Sequence, residues 1–262
     1  MDNKNVFVAI ALSMSVLLFW AAFFENPKPV SQNENNNKEQ KLTNENTITP
    51  NINETLKIDK ISREDSLKIS DRIKIENDNI IGSMSLLGGL IDDISFKRHK
   101  QDLENNLNVE FLNPAQTENG FYVETGWTSI GNKIKVPSKN SLWKNSGNNS
   151  LSSGKSVTLE WRNGNGIVFK KIIELDNKYL FKITQLVQNN SNQTLELYPY
   201  AQITRNKIPD DIQNFYISHE GFIGVFDEEL KEDDYDDIKE KKIVRESGEG
   251  WLGITDKYWV TA

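Results

Sequence analysis

The stretch from Val157 to Arg205 reads VTLEWR, NGNG, IVFKKIIEL, DNK, YLFKITQLVQ, NNSNQ and TLELYPYAQITR. Four runs rich in β-branched and aromatic residues are separated by three short turns of Asn, Gly, Asp and Ser. That spacing predicts four strands in an antiparallel meander. The odd positions carry Val157, Leu159, Ile167, Phe169, Ile173, Leu175, Phe181, Ile183 and Ile203. The even positions carry Thr158, Glu160, Lys170, Glu174, Lys182 and Gln202. Side chains alternate between faces with period two, so the odd set is expected on a core and the even set toward water or a second layer. A slip of one residue would exchange the faces, which makes the register firm. Lys171 and Gln185 interrupt the apolar face. Pro199 removes a ladder donor and predicts an edge or a bulge.

Upstream, from Arg72, the same texture recurs in RIKIEN, NIIGSMSLL and LIDDISFKRH, with Gly88-Gly89 between the last two. These predict two strands, a tight turn with positive φ at the glycines, and a third strand. No P-loop or GxGxxG pattern surrounds the glycine pair, which argues against a phosphate cradle. LNVEFLNP and FYVETGW continue the strand reading. Residues 126–156 predict a long loop pinned by Trp127 and Trp143. Downstream, NFYISH and GFIGVFD predict two more strands, and EELKEDDYDDIKEKK (228–242) predicts a solvated acidic excursion.

The N-terminus is of another kind. Val6 to Phe24 is a run of 19 residues without charge, with Ser13 and Ser15 its only polar side chains. As a helix at about 1.5 Å per residue it reaches roughly 29 Å, the thickness of a bilayer core. It is longer than a signal-peptide core and ends in bulky Phe23 and Phe24 rather than a small-x-small cleavage site, so an uncleaved anchor is expected. Trp20 suits an interfacial aromatic anchor. Lys4 on one side and Lys28 and Lys38 on the other leave orientation undecided by the positive-inside rule. Residues 25–55 are Asn, Glu, Gln, Lys and Thr with almost nothing to bury, and are expected to stay disordered. From Leu56 to Ile69 the pattern is open between a short helix and a first strand. The expected organisation is therefore an anchor over 1–24, a polar, largely disordered linker over 25–70 and a mainly β domain over 71–262.

A formal charge of −7 argues against a nucleic-acid partner. The chain has no Cys, hence no disulfide framework, thiolate metal site or thiol nucleophile. His99 and His219 sit in no HExxH or GxSxG context and are expected at strand ends on the surface. Asp210-Asp211 after Pro209 reads as turn chemistry, and Asp92-Asp93 and Glu228-Glu229 as surface. Asp233, Asp234, Asp236 and Asp237 lack the spacing of an EF-hand loop. Asn53-Glu54-Thr55 and Asn192-Gln193-Thr194 fit the glycan acceptor pattern, which Asn-rich sequence produces by chance. No catalytic constellation, cofactor site or metal site is expected, and binding residues are not assigned.

The two ends together resemble the start of a bacterial YidC membrane protein insertase. The family opens with M-D-x-[KR]-N, matched here by Met1, Asp2, Lys4 and Asn5. Its first periplasmic domain closes on a segment matched by Gly250, Trp251, Tyr258, Trp259 and Ala262. The resemblance implies a β-supersandwich in the periplasm, a cytoplasmic N-terminus and a bilayer contact through residues 6–24. It implies a role in inserting and folding nascent inner-membrane proteins, alone or beside the Sec translocon, with contacts to the SecDF accessory proteins and no cofactor. Family members continue into further membrane helices that form a hydrophilic groove with a functionally important Arg. No Arg of this chain matches that position, and these 262 residues alone are not expected to insert a client. A second reading is a membrane-tethered carbohydrate-binding or mutarotase-like β sandwich, suggested by the aromatic content, including Trp127, Trp143 and Trp161.

Overall fold

A computed structural model of the chain describes residues 12–16 and 60–262, apart from 102–103, 105, 131–133, 211, 213–218 and 241. The chain divides into two compact units, Met1–Glu45 and Asn46–Ala262. In the first, residues 12–16 are helical, with Leu12, Met14 and Val16 exposed. Among the described residues no helix is long and apolar enough to cross a membrane. The anchor expected at Val6–Phe24 lies mostly outside the described residues, as does the linker up to residue 59.

The second unit is mainly β, as the alternation predicts. β1 (Arg72–Glu76), β2 (Ile80–Ser85) and β3 (Leu90–Lys100) form an antiparallel meander, with Gly88 and Gly89 at φ of 75° and 63° in the turn. β4 (Asn108–Leu112) and β5 (Phe121–Thr128) both pair with β3. β6 (Lys144–Asn145) and β7 (Ser150–Leu151) are two-residue strands inside the long connection, and β7 lies parallel to β1. β8 (Val157–Arg162), β9 (Ile167–Leu175) and β10 (Phe181–Asn189) make the expected meander, completed by β6 in the order β10-β9-β8-β6.

The fourth run departs from expectation. β11 (Tyr198–Arg205) leaves β10 and pairs with β5 along its whole length, at the edge of a seven-stranded sheet ordered β11-β5-β3-β2-β1-β7, with β4 as the seventh strand branching from β3. Specific cross-strand packing explains the change of sheet. Tyr200 stands opposite Gly126, whose missing Cβ makes room for the phenol ring, and its hydroxyl donates to Glu124 Oε1 at 2.6 Å. Edge position is compatible with Pro199, as expected from its missing donor. The third sheet holds β12 (Gly221–Phe226), β13 (Glu229–Asp234), β14 (Gly250–Thr255) and β15 (Val260–Thr261), ordered β13-β12-β14-β15. The acidic excursion is thus partly regular: it supplies β13 and a helix over Tyr235–Glu240, whose Tyr235 is buried against Phe222. Most of NFYISH falls outside the described residues.

The core lies between the first two sheets. Ile75, Met84, Leu159, Phe169, Ile173 and Trp143 are all essentially inaccessible. Trp127 and Trp143 stack at 6.5 Å and pin the 126–156 connection, as their placement predicts. The stretch left open between helix and strand becomes a single helical turn, Arg63–Ser66, capped by Ser62 through its hydroxyl on the Asp65 amide. Ser66 is buried there, and the Ile61 amide donates to the Gln116 carbonyl, so residues 61–66 pack on the β body.

Candidate functional site

Residues at three places in the β body carry the chemistry that this fold positions. The first is the pair Asp92-Asp93, which the sequence places on the surface. Both are buried, 2% and 7% exposed. The cause is a β-bulge: the register steps from Ser83↔Asp93 to Met84↔Ile91, which makes Asp92 an extra residue in β3. Arg72 pairs with Asp92 and Arg63 pairs with Asp93. Ser83 joins the pairs, accepting from Arg72 Nε at 2.7 Å and donating to Asp93 at 2.5 Å. Burial raises the Asp92 pKa, and the Arg72 guanidinium works against that rise. The carboxylates are neutralised and hydrogen-bonded, which makes them a clasp and leaves no open acid or base.

The second is Lys171, one of the two breaks in the apolar face. It is 1% exposed, lies 4.7 Å from the Trp143 ring centroid and sits 3.5 Å from the Gly89 carbonyl. Burial pulls its pKa down to about 8, opposed by Glu124. The other break, Gln185, donates to the Gly126 carbonyl at 2.7 Å. Both interruptions are polar side chains spent inside the sandwich.

The third is the open side of the sandwich. A cavity of about 550 Å³ lies between Phe181 and Ile183 of β10 and Ile91, Phe96 and Val123 of the facing sheet, with Trp259 and Val260 also in its lining. A second, of about 520 Å³, flanks Val187 and Asn189 of β10, with Trp127, Leu195 and Pro199 opposite. A polar cavity of about 420 Å³ adjoins Arg205, Lys207, Glu220 and Asp256. In it Arg205 pairs with Asp256 and lies 4.5 Å from the Phe121 ring centroid.

The end motif falls on the same side. Gly250 begins β14 at φ 147°, and a Cβ there would stand 1.9 Å from the Val225 carbonyl oxygen, which explains the glycine. Trp259 packs on Phe96 at 4.4 Å and on His99 at 4.7 Å. Trp251 and Tyr258 are exposed.

The remaining sequence candidates do not converge. His99 is at the exposed end of β3 as expected, whereas His219 is half-buried, its Nε2 2.9 Å from the Phe222 carbonyl and its Nδ1 3.5 Å from Asp234. Asp233 is held by Arg245 at 2.6 Å and Asp236 by Lys239 at 2.9 Å. Among the described residues no cluster of three or more His, Asp or Glu is disposed to hold a metal ion. Asp210 is exposed and pairs with Lys207 at 2.7 Å, in keeping with turn chemistry, and Glu228 and Glu229 are exposed. Trp127 and Trp143 are core residues and Trp161 is half-buried against Phe169, so they form no exposed aromatic platform.

The profile of the family described as YidC periplasmic domain matches residues 72–262. Among curated proteins, the chain is similar to the membrane protein insertase YidC of Pelagibacter ubique, 40% identical over 262 residues, which is 100% of this chain and 46% of that protein. It is also similar to those of Rickettsia prowazekii, 37% identical over 276 residues (100% of this chain, 47% of the relative), and Cereibacter sphaeroides, 34% identical over 273 (99% and 43%). The chain spans a little under half the length of these relatives.

Proposed function

Since the chain belongs to the YidC periplasmic domain family, we propose that it forms the anchor and the periplasmic docking and scaffold portion of a membrane protein insertase. The observation that carries this is the likeness over the entire chain, N-terminal apolar run included, to proteins named as insertases. In this reading residues 1–24 hold the chain in the inner membrane with the N-terminus in the cytoplasm, the polar linker ends ahead of the turn at 61–66 that packs on the β body, and the β body stands in the periplasm. The clients are nascent inner-membrane proteins, inserted alone or beside the Sec translocon, and the β body contacts SecDF. The buried, ion-paired state of Asp92 and Asp93 supports a scaffold role and no catalytic one.

Two measurements test the reading. Alkaline phosphatase fused after Ala262 is expected to be active, because that enzyme folds only after export. A cytoplasmic reporter fused at the same place is expected to be silent, and the reverse pattern would sink the orientation. Photo-crosslinkers placed on the β body are expected to capture SecDF, and capture equal to that of an unrelated periplasmic domain would refute the docking role.

A further inference from the structure

The chain contains three Asn-Gly pairs, Asn119-Gly120, Asn163-Gly164 and Asn165-Gly166. In such a pair the backbone nitrogen of the glycine can attack the side-chain carbonyl of the asparagine, since the glycine has no Cβ to shield the approach. The attack needs an Asn side chain free to swing back, a glycine N–H without a partner, and a backbone able to turn.

The fold separates the three pairs. Gly120 is buried, its amide donates to the Thr117 carbonyl at 3.3 Å, and the Asn206 side chain packs against its Cα. Asn163 is 8% exposed. Its side-chain oxygen accepts from the Asn165 amide at 2.7 Å and the Ile167 amide at 3.2 Å, and its Nδ2 reaches the Lys135 carbonyl at 3.5 Å. Those bonds hold the turn between β8 and β9 and withhold the Asn163 side chain from reaction. Asn165 is the opposite case. It is exposed together with Gly164 and Gly166. Among the described residues, neither its side chain nor the Gly166 amide has a hydrogen-bond partner. Gly164 and Gly166 flank it at φ of 84° and 83°, and a Cβ at Gly164 would meet nothing within 4 Å.

We propose that Asn165 is a self-modification site, at which the chain converts this residue to aspartate and isoaspartate. The Gly166 nitrogen forms a bond to Cγ of Asn165. The bond from Cγ to Nδ2 breaks, and Nδ2 leaves as ammonia with the proton that Gly166 gives up. A cyclic imide then joins residues 165 and 166. Water adds to one of its two carbonyls. Opening at Cγ gives aspartate, and opening at the backbone carbonyl gives isoaspartate, whose main chain runs through the former side chain. Water is the only co-reactant, and nothing is oxidised or reduced.

Either product places a new carboxylate, ionised at neutral pH, on the turn. Isoaspartate also lengthens the main chain by one methylene between two fixed points. On one side the Asn163 amide donates to the Ile167 carbonyl at 3.1 Å, and on the other the Gly166 carbonyl accepts from the Asn190 amide at 2.8 Å. The strain therefore falls on the end of the β8-β9-β10 meander, where hydrogen exchange at the Asn190 amide is expected to quicken in the modified fraction.

The experiment incubates the full 262-residue chain in lipid nanodiscs in mildly alkaline buffer made with heavy-oxygen water, and follows each Asn-Gly pair by peptide mapping and mass spectrometry. Asn165 is expected to convert at least about tenfold faster than Asn119 or Asn163, which react only from locally opened states. Its product is expected to carry the heavy oxygen. In urea the three pairs are expected to convert at similar rates, because the fold no longer distinguishes them. Asn165→Gln is expected to abolish conversion at 165 and to leave the other two pairs unchanged. Equal rates at the three pairs in the folded chain would overturn the proposal, as would conversion of Asn163 or Asn119 ahead of Asn165. So would a folded chain in which Asn165 stays intact while the urea-unfolded chain converts it.

Discussion

Lys171 shows how one side chain shapes stability. With about 1% exposure its charge is kept only by Glu124, the Trp143 ring and a long contact to Gly89. Its folded pKa is about 8 against 10.5 unfolded. Between those values the unfolded chain binds more protons, so stability rises with pH through that window, and the charged lysine destabilises the fold fully below pH 8. The shift corresponds to about 3 kcal/mol, partly offset by cation–π attraction. Lys171→Met is therefore expected to stabilise the β body by about 1–2 kcal/mol at pH 7 and to flatten its stability between pH 8 and 10. Urea melts at several pH values check both. A less stable variant at pH 7 with an unchanged pH profile would refute the account. The break in the apolar face at 171 is legible in the sequence. Its partners are not, since Gly89 and Trp143 lie on distant strands and loops. Asp92-Asp93 was illegible for a related reason: a bulge is invisible to a period-two pattern, and two adjacent carboxylates look solvated until Arg63 and Arg72 are placed against them.

At the scale of elements, alternation and turn residues identify β1 to β5 and β8 to β12, because each needs only local chemistry, whereas the two-residue β6 and β7, the charged β13 and the terminal β14 and β15 carry no such pattern. Partner choice is another matter. The runs at 181–189 and 198–205 are joined by a short connection, and proximity favours pairing them. What prevails is the match of Tyr200 to Gly126 and Glu124 on β5, a contact between residues more than seventy positions apart. Burial and Glu124 both push the Tyr200 phenol upward, so it remains a donor at any ordinary pH. Tyr200→Phe removes that donor and is expected to lower stability by about 1–2 kcal/mol without changing the urea m-value. Gly126→Val crowds the ring and is expected to cost more, about 2–3 kcal/mol, and to raise exchange at the β11 amides. If both substitutions proved neutral, cross-strand packing would not be what holds β11 in the seven-stranded sheet.

For the molecule as a whole, the question is where the body begins. Composition sets the boundary at residue 70, since 25–55 offers little to bury and the pattern over 56–69 is open between a short helix and a strand. Packing adds a clasp ahead of it. Arg63 spans Asp93, Asn113 and Glu110, and Ser66 is buried with its hydroxyl on Gln116 at 3.0 Å. Removing the segment leaves Asp93, 7% exposed, facing Ser83 with no cation of its own. Breaking a buried pair from one side costs about 3–5 kcal/mol, and the quarter-exposed Arg63 side chain reduces that to about 2–3 kcal/mol here. A chain starting at residue 60 is thus expected to unfold at higher urea than one starting at residue 71, by that margin. Asp93→Asn should narrow the gap, because the orphaned charge is then absent from both. Equal midpoints for the two chains at pH 7 would mean that the helical turn at 63–66 is an ornament on the linker, and that the body starts with β1.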